Sequence, residues 1–314
     1  MATMKAVRIH EFGGPDALVY EDAPKPEPKE GEVLVKVAAA GINPVDAIIE
    51  AGAMKQMAKH TLPLIPGWDV AGTVEAFGPS VTGFTAGDTV FAFADARRDG
   101  TYAEYAVIAA EALCPKPASI DFPAAASIPL AGTTAWQALF VEADIQSGQT
   151  ILIHGAGGSV GAFAVQFAKV RGATVIATAT GDDIEYVRGL GADVVVDYKT
   201  EKFEDAAKDV DIVLDTVGGE TQARSWGTLK DGGVLVSIRQ GAAAPPEAAA
   251  RGVQAKFFGA HPDGPQLKEI GRLVDAGQVK TRIGATFPLS EAKQAQEQAK
   301  GGHTRGKIVL QVAG

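Results

Sequence analysis

Thr150-Ile151-Leu152-Ile153-His154-Gly155-Ala156-Gly157-Gly158-Ser159-Val160-Gly161 is the segment that decides how the rest of the chain is read. The apolar, β-branched-rich run Ile151–Ile153 leads straight into Gly155, Gly157, Gly158 and Gly161. Val160, Phe163, Ala164, Phe167 and Ala168 then recur at helical spacing. Strand, glycine turn and helix in that order form a cradle for a dinucleotide pyrophosphate. The glycines let backbone approach the phosphates, and the N–H groups of the helix's first turn, aided by its dipole, bind the anion. Gly155, Gly157, Gly158, Ser159, Val160 and Gly161 are therefore candidate cofactor-binding residues, and redox chemistry on a borrowed cofactor is implied. A strict G-x-G-x-x-G would need glycine at Val160; the spacing that is met is Gly155-x-x-Gly158-x-x-Gly161.

The surroundings strengthen the motif. Strand-like runs follow at Ala173–Ala179, Asp193–Asp197, Asp211–Asp215 and Gly233–Ile238, with helical stretches such as Asp182–Leu190 and Thr221–Leu229 between them. Strands alternating with helices at this spacing predict an α/β fold with a parallel, doubly wound sheet of Rossmann type. The Ala/Pro-rich Gly241–Arg251 reads as a surface loop with a short helix, and Val253–Gly259 as a sixth strand.

The first 120 or so residues have a different texture. Strand candidates Val33–Ala38, Asp69–Phe77, Thr89–Phe93 and Thr101–Ile108 are separated by Gly/Pro/Asp turns, which predicts an antiparallel, barrel-like unit. Pro24, Pro26 and Pro28 mark an extended surface segment. A helix is predicted over Asp46–Gly52. Another runs from Phe122 toward Val141, broken by Pro129 and Gly132. The tail returns to the first texture, with helix Pro265–Ala276, strand Arg282–Phe287, helix Ser290–Lys300 and strand Gly306–Val312. Residues 1–121 and 263–314 are thus expected to form one domain, with the dinucleotide-binding domain, 122–262, inserted in it.

With 314 residues, 46% hydrophobic and 21% charged, the chain can bury a large core, and its length suits two domains. A net charge of −9, with no Lys/Arg run longer than two, argues against a nucleic-acid partner. No apolar run approaches the ~18 residues of a membrane span. Met1–His10 alternates like a strand and lacks the apolar core of a signal peptide. The single cysteine, Cys114, excludes an internal disulfide and a cysteine-based zinc cluster. A cytoplasmic enzyme fits this composition.

A family resemblance rests on several motifs in order: Gly41-Ile42-Asn43-Pro44-Val45-Asp46, Pro66-Gly67-Trp68-Asp69-Val70-Ala71-Gly72, Gly87-Asp88-Thr89-Val90, Gly132-Thr133-Thr134-Ala135-Trp136, the glycine turn, Leu190-Gly191-Ala192-Asp193 and Asp215-Thr216-Val217-Gly218-Gly219. Over essentially its whole length the chain resembles the medium-chain dehydrogenase/reductase superfamily, in its zinc-independent quinone oxidoreductase (zeta-crystallin-like) branch. The resemblance implies a Rossmann-type sheet inserted in a GroES-like, mostly antiparallel β-barrel domain. It also implies a homodimer through the outer edge strand of the nucleotide domain, which would cover unpaired backbone groups. In zinc-dependent relatives a cysteine follows the Gly-Ile turn and a His-Glu pair follows the glycine of the second motif. Here those places hold Asn43, Trp68 and Asp69, and neither Asn nor Trp supplies a thiolate or imidazole. The histidines, His10, His60, His154, His261 and His303, are scattered and read as surface or helix-terminal groups. No metal is expected.

A site without a metal cannot polarise an alcohol by the Lewis-acid route. It can hold a nicotinamide against an electron-poor double bond and place a hydrogen-bond donor at the oxygen that becomes anionic. Quinones and α,β-unsaturated carbonyls are therefore the expected substrates. Asn43 is the first candidate for that donor, since its amide donates without a change of protonation; the alternative is that it caps the turn before Pro44. Thr134 matches the family threonine beside the nicotinamide, with a backbone-bonded helix interior as its alternative. Asp46, Trp68, Phe93 and Tyr102 are expected to line the substrate pocket, built from the turn after Gly41, the segment Ala51–His60 and the loop Phe93–Gly100. Tyr102 and Tyr105, in a predicted strand, should face opposite sides, so at most one can be a proton donor; packing is the expected role for both, with water as the alternative proton source. The charged run Asp95–Asp99 reads as a solvated loop.

An NAD-preferring site usually carries an acid at the end of the second strand, about 20 residues after the turn. Here Thr178, Ala179 and Thr180 stand there, which favours NADP(H), although Asp182 and Asp183 follow where relatives often have Lys or Arg. By resemblance, Tyr198 contacts the 2′-phosphate and Arg305 reaches the same place. Asp215, Val217, Ser237, Ile238, Phe258, Gly259 and Ala260 close the later strands and are expected to complete the cofactor pocket. A zinc-free alcohol or aldehyde dehydrogenase and a non-catalytic NADPH-binding protein are the competing readings.

Overall fold

A computed structural model describes residues 2–55, 60–239, 243–302 and 304–312. Part of the expected pocket segment (56–59), Gly241 and Ala242 of the expected loop, and His303 lie outside the described residues. Two compact units are present. One comprises Met1–Thr133, His261–Gly277 and Thr281–Gly314; the other comprises Thr134–Ala260 and Gln278–Lys280.

The first unit holds strands β1 (Thr3–Ile9), β2 (Leu18–Pro24), β3 (Glu32–Gly41), β4 (Asp69–Phe77), β5 (Thr89–Phe93), β6 (Tyr105–Ala109) and β7 (Leu113–Pro115). The second holds β8 (Thr150–His154), β9 (Thr174–Ala179), β10 (Val194–Asp197), β11 (Val210–Asp215), β12 (Leu229–Ser237) and β13 (Gln254–Phe257). The chain then returns to the first with β14 (Ile283–Pro288) and β15 (Lys307–Gln311).

In the first unit β1 pairs with β2. A seven-stranded sheet runs β14-β15-β3-β4-β5-β7, with β6 also on β3, and is antiparallel except for the β14–β15 pair. Val309 of β15 lies opposite Gly41 of β3, and Asp69 of β4 opposite Phe93 of β5. The last strand therefore ends up beside the turn Gly41–Pro44. The helix Pro44–Glu50 begins there, with Asn43 at its N-cap and Pro44 in its first turn.

The second unit is a six-stranded parallel sheet in the order β10-β9-β8-β11-β12-β13. Its inner strands β8, β9 and β11 are largely buried apolar runs, as expected where helices cover both faces, whereas the edge strand β13 is mostly exposed. The order reverses between β8 and β11, so the glycine turn at the end of β8 stands at the switch point where open sheets bind ligands. The helix Ser159–Arg171 buries Gly161–Ala168 and ends at Gly172, whose φ of 84° is the left-handed C-cap.

Several sequence expectations need correction. Only Tyr105–Ala109 of the expected strand Thr101–Ile108 is a strand; residues 101–104 form turns and a single bridge, Ala6 to Ala103, so period-2 reasoning does not reach Tyr102. The expected long helix splits at Pro129 into Phe122–Ala126 and Pro129–Trp136, followed by a π-helical turn, Gln137–Glu142. Gly132 does not break the second piece but lies inside it, packed against Ile128 and Ile270. Among the described residues no helix is long and apolar enough to cross a membrane.

Candidate active site

In the second unit the glycine turn has a steric cause. Gly155 has a φ of 70°, in the left-handed region, and a Cβ at Gly161 would stand 2.4 Å from the Gly155 carbonyl oxygen. Helix and turn therefore touch backbone to backbone. The helix starts at Ser159, so the N–H groups of Ser159, Val160 and Gly161 belong to a first turn with no acceptor further back in the helix. These residues fit a pyrophosphate.

Beneath the turn lies His154, which is buried, so its expected place on the surface or at a helix end is corrected. Ser225 gives its hydroxyl hydrogen to the Thr221 carbonyl at 2.6 Å, so His154 Nε2–H must donate to Ser225 Oγ at 2.9 Å. Nδ1 then accepts from the Thr178 hydroxyl, whose oxygen in turn accepts the Gly155 N–H, both at 3.3 Å. Burial lowers the His154 pKa to about 4, keeping the ring neutral. Thr178 thus turns inward and supports the turn from below.

The other expected cofactor residues gather at the carboxyl ends of the strands. Asp215 is buried. Its Oδ1 accepts from the N–H groups of Val217 (2.9 Å) and Gly218 (2.8 Å), and its Oδ2 from Gln222 (2.8 Å) and Ser237 (3.0 Å). Its carboxylate shapes the loop that carries exposed Val217. Ile238 N–H donates to the Asp215 carbonyl and Phe258 N–H to that of Ser237, which aligns the ends of β11, β12 and the segment Phe258–Ala260. Tyr198, 56% exposed, follows β10 and donates its N–H to the Ala179 carbonyl at 3.2 Å, so these two lie together. The Lys199 N–H and the Thr180 hydroxyl hold the neighbouring Asp197 carboxyl below its usual range. Asp183 lies against the turn, its Cβ 2.9 Å from where a Cβ on Gly157 would be. Arg305 belongs to the first unit, just before β15.

Asn43 is the centre of a buried polar cluster in the first unit. Its Nδ2 donates to Asp69 Oδ2 at 2.8 Å, and its Oδ1 accepts from Lys307 Nζ. Lys307 Nζ also lies 2.9 Å from Asp69 Oδ2, with side-chain exposures of 4% and 0%. Asp69 Oδ1 accepts the Leu130 N–H at 2.6 Å. Asn43 also donates its backbone N–H to Asp46 Oδ2 at 2.8 Å, one half of a capping box for Pro44–Glu50.

Asp46, Trp68, Phe93 and Tyr102, expected along the pocket, are all buried. Tyr102 donates to Asp46 Oδ2 at 2.5 Å, and Gln296 donates to Glu50 at 2.5 Å. Among the described residues Asp46 Oδ1, Glu50 Oε2 and Trp68 Nε1 have no hydrogen-bond partner. Burial raises the Asp46 pKa to about 8 and that of Glu50 to about 7, and it lifts the Tyr102 phenol well above its usual value. Thr134 is buried in helix Pro129–Trp136, at the start of the second unit.

Lys307 and Glu50 were missed by sequence reasoning. Lys307 is a lone cation opening the otherwise apolar run Ile308–Leu310, and Glu50 stands one helical turn after Asp46, so both had a readable signal. Zinc does not fit this set of donors. Asn43 and Trp68 offer no thiolate or imidazole, and the Asp69 carboxylate is already occupied by an ammonium and a backbone N–H. A separate cleft of about 530 Å³ opens beside residues 94–99, lined in part by Asp95, Arg97, Arg98, Glu111, His261 and Asp263. The charged run there is paired, Arg97 with Asp95 within it and Arg98 with Glu32 of β3.

Comparison with known proteins adds identity to this geometry. The family model described as alcohol dehydrogenase GroES-like domain matches residues 29–118, and that described as zinc-binding dehydrogenase matches residues 190–310. The chain is 36% identical to the chloroplastic NADPH-dependent alkenal/one oxidoreductase of Arabidopsis thaliana, over 98% of this chain and 79% of that protein. It is 33% identical to the quinone oxidoreductase of Mus musculus, over 98% of this chain and 97% of the relative. The solved structure of the quinone oxidoreductase from Coxiella burnetii superposes with a TM-score of 0.90 at 33% identity, covering 99% of this chain and 100% of that one.

Proposed function

Because the chain belongs to the medium-chain dehydrogenase/reductase superfamily, beside its quinone oxidoreductases and alkenal reductases, we propose that it is an NADPH-dependent reductase of quinones and α,β-unsaturated carbonyls that works without a metal ion. The glycine turn carries this function: it stands at the switch point of the parallel sheet and leaves no room for a Cβ at Gly161. The names of the relatives support the substrate class and NADPH.

The backbone of Gly155–Gly161 holds the pyrophosphate, with Ala179, Thr180 and Tyr198 toward the 2′-phosphate. The nicotinamide, when bound, supplies the hydride. Thr134 steadies the ring through its hydroxyl. Asn43 donates an N–H to the acceptor oxygen as it gains negative charge, which lowers the barrier because the donor is already oriented in a dry site. Water returns the proton. The enzyme is cytoplasmic and acts as a homodimer, and it needs neither membrane nor nucleic acid.

An NADPH-oxidation screen over quinones and enones, with and without a chelator, tests this function. Turnover that survives chelation and favours NADPH over NADH is expected. Loss of turnover on chelation overturns the metal-free mechanism, and faster turnover with NADH overturns the choice of cofactor.

A further inference from the structure

We propose that Lys307 is a positioning residue for Asn43: its ammonium anchors the carboxamide oxygen, so that the amide can offer the acceptor oxygen only an N–H. The proposal rests on the function above, in which Asn43 meets that oxygen. A lysine ammonium can only donate hydrogen bonds and a carboxylate can only accept them, whereas an asparagine amide does both, at opposite ends. Lys307 Nζ on Asn43 Oδ1 and Asp69 Oδ2 on Asn43 Nδ2 therefore leave one orientation. Turning the amide over would set its NH2 against the ammonium and its carbonyl against the carboxylate. Both contacts would be repulsive, at a place where water scarcely enters.

The carboxylate is itself immobile. Leu130 N–H holds Asp69 Oδ1 at 2.6 Å, and Gly41 packs so closely that a Cβ there would stand 2.8 Å from Asp69 Oδ2. Lys307 arrives by strand register. With Val309 opposite Gly41 and Ile42 N–H on the Ile308 carbonyl, residue 307 falls opposite residue 43. One Nδ2 hydrogen goes to Asp69, and the described residues claim no other. The positive charge behind the carbonyl also polarises the amide, strengthening that remaining N–H as a donor.

Mere charge balance for Asp69 is the rival role, and a double-mutant cycle separates the two. The measurements are NADPH-dependent reduction of 3-penten-2-one, NADPH affinity by cofactor fluorescence, and binding of 4-nitrophenolate, an oxyanion probe, in the presence of NADP+. Lys307→Met is expected to lower kcat about 10- to 100-fold, as loss of an oriented donor does, and to leave NADPH affinity within about twofold. In an Asn43→Ala background the same change should cost less than about threefold, because the group it acts through is already gone. Asp69→Asn/Lys307→Met removes both charges together, so it keeps the test open if the single variant fails to fold. That pair should fold and bind NADPH yet remain slow, and nitrophenolate affinity should fall alike in N43A, in K307M and in the pair. Recovery of kcat in the neutral pair, or losses that multiply with N43A, overturns the role of Lys307. Wild-type protein that binds nitrophenolate through both residues but reduces no enone or quinone overturns the proposed function alone. Wild type that does neither overturns both.

Discussion

Tyr102 donates its phenol hydrogen to Asp46 Oδ2 at 2.5 Å, with both side chains fully buried. Asp46 nevertheless has its pKa raised to about 8, because burial outweighs that hydrogen bond and the one from the Asn43 backbone. A carboxyl whose folded pKa lies above its unfolded value stabilises fully below the unfolded value, and the benefit is lost as pH rises toward the folded one. The stability of wild type relative to Asp46→Asn should therefore fall between about pH 4 and 8, with a slope approaching about 1.4 kcal/mol per pH unit. Urea unfolding of both proteins across that range measures it, and parallel curves would refute it.

Gly161→Ala would push a methyl group to 2.4 Å from the Gly155 carbonyl oxygen. The turn must open, so NADPH should bind at least about tenfold more weakly and stability should drop by about 1–3 kcal/mol. Gly189→Ala is the contrast. It lies in helix Asp183–Gly189 with open space at its Cβ, and should gain roughly 0.4–1 kcal/mol with cofactor affinity unchanged. Fluorescence titration with NADPH and thermal unfolding distinguish the two.

His154 carries the opposite pH sign. Its pKa is lowered to about 4 by burial, so its contribution is present above about pH 6.5 and is lost as pH falls toward 4. His154→Gln should cost about 1–3 kcal/mol at pH 8, through the partners left at Ser225 and Thr178. The gap between wild type and variant should narrow on acidification; a gap independent of pH would show that the ring does not titrate as described.

Asp183 places a negative charge against the glycine turn at Gly157. Replacing it with lysine reverses that charge near the expected phosphates. The ratio of kcat/KM for NADPH over NADH should then rise by about tenfold. An unchanged ratio in Asp183→Lys, together with an unchanged Kd for NADPH, would remove this residue from cofactor discrimination.

Much of the nucleotide unit is legible in its residues alone. Ile151–Gly161 states the strand, the turn and the helix start through local rules: glycine's freedom at φ 70°, and apolar spacing that changes period at Ser159. Residues 101–104 defeat the same rules because the alternating character of the run continues into turns that pack against Gly67 and β1. His154 escapes them for a related reason. A polar residue at a strand end reads as exposed until the partners that satisfy it, Ser225 and Thr178, are known.

Residue type and near neighbours are enough to set the α/β class, the succession of strands and helices around the glycine turn and the lack of a thiolate or imidazole at Asn43 and Trp68. That Lys307, 264 residues along the chain from Asn43, shares a buried cluster with it and Asp69 is visible only in the folded molecule. That meeting depends on β15 lying beside β3. The energy of a charge depends on what burial sets around it, which no local pattern in the chain records.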